Sequence, residues 1–202
     1  MAGSTLNWST VNIPRGVTYH LWAGLSVPAA GARLSLDTST LTPDATANPN
    51  AIHLGRTSEG VTVRVATTTE GSTSDEFSAP YRVIPTVEEM VISATLKQVL
   101  DFNILQRLSP VMTRTTGSGY EEMSFGGTTT VATTSVALIC AMPEDATKAF
   151  VAQLYRTSND APIEVNFRRT QDGMTAVSFR GQAVETRAAG DQIGKIWKQV
   201  AV

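Results

Sequence analysis

The chain has 202 residues and a single cysteine, Cys140. No intrachain disulfide can staple it, and folding in a reducing cytoplasm is expected. Cys140 falls inside an apolar stretch and reads as an inert core thiol. There are two histidines, His20 and His53. Each falls in a predicted strand with no cysteine or acid at ligand spacing, which predicts no metal site. Charge is sparse too: 17% of residues carry it, against about a quarter in ordinary domains. A surface so poor in charge and rich in Thr, Ser and Ala either belongs to a mildly polar monomer or is covered by something else. Four lysines and no arginine run give no basic patch for sequence-specific nucleic-acid binding. No apolar window reaches membrane-spanning length, so no membrane association is expected. The opening MAGSTLNWST lacks a basic head and an apolar core. It predicts no secretion signal, and Asn7-Trp8-Ser9 is then a chance sequon.

Catalytic groupings are equally scarce. There is no nucleophile elbow, although a Ser–His–Asp set assembled in space stays open. Glu88-Glu89 and Glu121-Glu122 are adjacent pairs, which a strand would send to opposite faces as solvated charges. Gly117-Ser118-Gly119-Tyr120 lacks the Lys-Ser/Thr ending of a phosphate loop. The expectation is a protein without catalysis, cofactor or metal.

What is present is β pattern. With 42% hydrophobic residues, the chain is long enough for one domain with a sizeable core, spanning 1–202. Residues 1–14 have no period; Trp8 and Ile13 either anchor an arm or lie in a loose terminus. Gly16–Val27 alternates cleanly as a long strand, with Trp22 on its polar face. That Trp is either a contact for a neighbouring subunit or covered by the chain's own loop. Asp37–Asn50 reads as a long loop in which only Leu41 can pack. Ala51–Thr67 reads as a strand, a turn at Ser58-Glu59-Gly60 and a second strand with Val61, Val63 and Val65 facing in. Thr68–Glu76 is a polar connection, and Phe77–Ile84 an extended segment.

Val87–Leu108, VEEMVISATLKQVLDFNILQRL, changes period midway. Met90, Ile92, Ala94 and Leu96 share one strand face; Glu89, Val91, Ser93 and Thr95 share the other. From Val99 the period lengthens, with Leu100, Ile104 and Leu108 four apart and Pro110 closing the run. A helix over 99–108 is expected to lay that stripe on the Met90/Ile92/Ala94/Leu96 face. Thr113–Ser135 is a Thr/Gly-rich loop or arm. Val136–Met142, apolar on both faces, is a central strand. Pro143-Glu144-Asp145 opens a predicted helix reaching Tyr155, with a strand from Phe150 as the competing reading. Pro162–Glu185 is a predicted hairpin with a three-residue turn at Gln171–Gly173, pairing Phe167 with Val177, Val165 with Phe179 and Glu164 with Arg180. Residues 187–202 are either strand or helix.

The order AIHLG, GVTVRV, a polar connection, FSAPYRVIP, VEEMVISATLKQVLDFNILQRL, a Thr/Gly-rich run, VALICAMP and a final hairpin resembles that of phage major tail proteins, the tail-tube subunits of long-tailed bacteriophages. The resemblance spans roughly residues 51–184. It implies a mainly β (α+β) fold, an antiparallel β-sandwich or partial barrel with one or two flanking helices. It implies a structural virion protein that joins itself into hexameric rings stacked as a tube. Such a tube holds the tape-measure protein, is closed by a terminator, and passes DNA without binding it specifically. The locations implied are the virion tail and, during assembly, the host cytoplasm. On this reading Glu89, Ser93 and Thr95 are candidates to line the lumen. Trp22, Asp37, Leu41 and Asp44 are candidates for subunit or ring contacts. Another tail ring protein, a terminator or connector, and a carbohydrate-binding β-sandwich are the alternatives. The last needs exposed aromatics on a sheet face, for which Trp22 is the candidate.

Overall fold

A computed structural model describes residues 19–37, 39–72, 82–97, 101–109, 111–127, 131–164 and 173–200. In chain order the elements are β1 (Tyr19–Ala23), β2 (Leu36–Asp37), β3 (Thr42–Pro43), β4 (Ile52–His53), β5 (Thr57–Ser72), β6 (Arg82–Leu96), α1 (Phe102–Leu108), β7 (Met112–Gly117), β8 (Tyr120–Phe125), β9 (Thr134–Ala141), β10 (Ala149–Asn159), β11 (Thr175–Gly181) and β12 (Gly194–Lys198). One antiparallel sheet, curled into a half-barrel, runs β4-β1-β9-β10-β11-β6-β5, and β12 joins β10 beside β11. The fold is mainly β, with one helix among the described residues.

β9 sits at the centre because its residues are apolar on both faces. Leu138 pairs between Leu21 and Ala152, and Ile139 between His20 and Val151. One face of the sheet carries the main core: Leu21, Ile92, Leu154, Val177 and Phe179, closed by Ile104 and Leu108 of α1. Full burial of side chains such as Ile92 and Phe179 contributes about 1.5–3 kcal/mol each. Behind β1, β9 and β10 the opposite face carries a second core of Leu25, Leu34, Ile139 and Val151, against which Leu36, Leu41 and Trp197 pack.

The helix starts where its cap permits. The Asp101 side chain accepts from the Asn103 N–H at 2.8 Å, and the helix stops at Ser109 before Pro110. Ile104 and Leu108 share the core with Met90, Ile92 and Leu96, as the period predicts. Val99 and Leu100, also assigned to this helix from sequence, lie outside the described residues.

Several expectations need correction. The helix expected from Pro143 to Tyr155 does not form. Asp145 caps a single turn, accepting from Thr147 N and Oγ1 while its backbone O takes Lys148 N. The chain then enters β10. Val151 to Tyr155 are all buried, and a strand dry on both faces mimics a helical stripe. The loop expected over 113–135 contains the β7–β8 hairpin, in which the Tyr120 ring lies over Gly117 so closely that a Cβ there would sit 2.4 Å from it. β7 is built on β-branched threonine, and β8, YEEMSF, lacks a clean apolar alternation. The loop expected over 37–50 folds into β2, β3 and Asx turns, with Pro43 and Asn48 buried. The long strand expected from Gly16 is described from Tyr19 and stops at Gly24. Gly24 takes φ +74, and a Cβ there would meet the Asn50 carbonyl at 2.4 Å. The turn expected at 58–60 is instead a bulge within the continuous β5.

The C-terminal hairpin register is also corrected. Phe179 pairs with Asn159 on one side and Ile92 on the other, so neither position is left for Val165. Arg180 lies beside Ser158 and Val91, while Glu164 accepts from Thr175 Oγ1. Turn chemistry fixes register only for strands that pair mainly with each other, and β11 has both edges filled. Val165, Phe167, Gln171 and Asp172 lie outside the described residues. The tail left open between strand and helix supplies strand β12 on β10.

Candidate interaction surface

Alternation in β6 sends Met90, Ile92 and Leu96 into the core, so Glu89, Ser93 and Thr95 emerge together on the far face. Their pairings continue that face sideways: Ala66 beside Glu89, Thr62 and Ser178 either side of Ser93, and Ala176 beside Thr95. Glu89 is not a lone acid. Its Oε1 lies 3.0 Å from Arg180 Nε and its Oε2 3.9 Å from Arg64 Nη2, while Arg180 also meets Asp160 at 3.1 Å. Two acids offset two bases there. Both arginines are mostly exposed, so these pairs are screened and contribute little to stability.

β11 leaves β6 after the Arg180–Val91 pair, but β5 and β6 continue together to Ser72 and Arg82. Residues 65–72 and 82–90 thus form a two-stranded arm, roughly 25 Å long at 3.3 Å per residue. By register, Val65 and Val83 belong to the Met90 face, and Ile84 and Val87 to the Glu89 face. Val65 is 61% exposed, Val83 58% and Val87 56%. A two-stranded ribbon is marginal alone, and this one has apolar residues on both faces and outer edges that no strand among the described residues pairs. Its geometry suits a partner that covers it. Sequence reading placed Val65 facing in and treated 68–76 as a connection. The missed signal is the matched pair of β-branched runs, VTVRVATTT and VIPTV, flanking a polar stretch.

The four residues expected to make subunit contacts are used within the chain. Trp22 is half-buried against the second core, its ring edge-on to His53 with centroids 5.1 Å apart. Asp37 accepts from Ser39 N and Oγ, which hold its carboxyl below the usual carboxylate value. Asp44 accepts from Thr46 N and Ala47 N. Leu41 takes φ +53 and reaches the second core. Together they shape the segment that covers that core. Buried Asn48 fastens it, with Oδ1 accepting from Ser26 N and Nδ2 donating to the Ser35 and Asp44 carbonyls.

Cys140 is half-buried, and burial raises its thiol to about 11, which keeps it protonated and unreactive at neutral pH. Among the described residues no three His, Cys, Asp or Glu side chains converge as a metal site, and no helix is long and apolar enough to cross a membrane. No protein-family model matches the chain, and no curated protein matches its sequence.

Proposed function

We propose that the chain is a self-assembling structural subunit, a tail-tube protein of a long-tailed phage that forms hexameric rings stacked into a conduit for DNA. The observation that carries the reading is the β5–β6 arm, whose valines and isoleucine stand exposed among the described residues. An arm of this kind gains stability when a second copy shields its faces and pairs its edges. The charge-balanced, Ser/Thr-bearing face around Glu89 suits a lumen that lets DNA pass, because only a basic face gains from counterion release. The element order that resembles the tail-tube family supports the same reading. Tape-measure and terminator proteins are then its further partners, and the virion tail its destination. No catalysis or cofactor is proposed.

Negative-stain electron microscopy of the purified protein tests this. Six-fold rings or tubes are expected. Monodisperse globular particles across a wide concentration range would overturn the reading.

A further inference from the structure

His20 and His53 lie far apart in sequence but meet at the edge of the sheet. Trp22 pairs with His53 between β1 and β4, which sets His20 diagonal to it on the same face. His20 Nδ1 and His53 Nε2 are 3.0 Å apart. The tautomers follow from a third group. The Gly55 N–H donates to His53 Nδ1 at 3.1 Å, so that nitrogen carries a lone pair. The neutral ring's one proton is then on Nε2, and it donates to His20 Nδ1.

This chain of bonds has no place for another proton. A proton on His20 Nδ1 would face the His53 N–H, and one on His53 Nδ1 would face the Gly55 N–H. Switching the His53 tautomer exchanges one clash for the other. Among the described residues, the neighbours of the pair shown by register and contact are apolar or basic. Across β9, His20 faces Ile139 and Trp22 faces Ala137. Tyr19 turns to the other face and bonds Thr57. From α1, Arg107 reaches Gly24, a further positive charge rather than a carboxylate. Burial and, after it, the second imidazole hold His53 below the ordinary histidine value of 6.5.

The two rings act where the strand pairing is short. β4 is two residues long, and Leu54 N–H to Leu21 O adds one bond. β4 also links the cover of the second core to β5.

We propose that the His20–His53 pair is a proton-sensitive latch that holds the edge strand β4 on β1 at neutral pH and releases it on mild acidification. Two rings sharing one hydrogen bond must separate when either takes a second proton, and the short strand follows. Release frees the outer edge of β1 and loosens the covering segment beneath it, while the central strands stay paired. The latch does not depend on the assembly reading, since every residue in it belongs to one chain.

Hydrogen–deuterium exchange read by mass spectrometry tests it on the intact chain, whatever its assembly state. After correction for intrinsic exchange, protection of the peptide covering residues 51–57 should fall about tenfold between about pH 7.5 and about pH 5. The peptide covering 136–141 should hold its protection. The double variant His20→Asn/His53→Gln, which keeps polar side chains but cannot titrate there, should remove the pH dependence. The single variant His20→Asn retains an acceptor for His53 and should blunt it. Wild-type protection of 51–57 that is flat with pH overturns the proposal. So does an equal fall in 51–57 and 136–141, or a fall that the variants leave unchanged.

Discussion

The guanidinium of Arg187 lies over the ring of Tyr155, 4.0 Å from its centroid, and both side chains bond the same carboxylate, Asp191. Arg187 is buried and uses every arm: Nε to the Asp191 carbonyl, Nη2 to Asp191 Oδ2 and Nη1 to the Pro28 carbonyl. The cluster fastens the loop before β12 to the loop after β1. Arg187→Met should cost about 2–4 kcal/mol in urea unfolding, because it removes both guanidinium bonds to Asp191 and leaves the Pro28 carbonyl without its donor. Tyr155→Phe should cost about 1 kcal/mol, the usual net contribution of one hydrogen bond. Equal losses would mean that the cation–π stack and its bonds do not anchor the loop.

The same carboxylate sets an acid limb. The Tyr155 hydroxyl, then Arg187, hold Asp191 below the ordinary aspartate value of 3.8. A depressed carboxylate contributes stability above its unfolded value and loses it as pH falls through the folded one. Stability should therefore drop below about pH 4, and Arg187→Met should flatten that drop. An unchanged acid limb in the variant would assign it to other carboxylates.

Ile104 projects from α1 into the main core and is 2% exposed. Ile104→Ala should destabilise by about 2–5 kcal/mol. A loss under about 0.5 kcal/mol, typical of surface sites, would mean that the helix does not close the core.

Glu89→Lys removes the acid between Arg64 and Arg180. The fold should survive with a change near or below about 1 kcal/mol, since the two arginine partners of half-buried Glu89 are mostly exposed and the pairs are screened. If this face lines a DNA conduit, the added charge should retain duplex DNA at low salt and slow its passage. Wild-type DNA passage in the variant would place the face elsewhere.

The sequence carried the face assignments better than the pairings. Alternation in 87–96 separated Met90, Ile92 and Leu96 from Glu89, Ser93 and Thr95 because β6 is wet on one side. The same logic failed at Val151–Tyr155, where burial on both sides erases the period that tells strand from helix. The 162–185 register failed because Phe179 answers to Asn159 and Ile92, residues far from any local turn. β7 and the β5 side of the arm were hidden by threonine, which is polar in composition and β-forming in conformation, and β8 by its glutamates. The His20–His53 contact and the meeting of Tyr155 with the local Arg187–Asp191 pair are long-range and no spacing announces them.

The central claim is that the β5–β6 arm drives self-association. Sedimentation velocity on wild type and on the triple variant Val83→Ser/Ile84→Ser/Val87→Ser tests it most directly. These positions are exposed, so the variant should melt within about 0.5 kcal/mol of wild type per site. The account predicts rings or larger assemblies for wild type and a folded monomer for the variant. A wild type that stays monomeric at every concentration and salt, or a variant that assembles as wild type does, would contradict it.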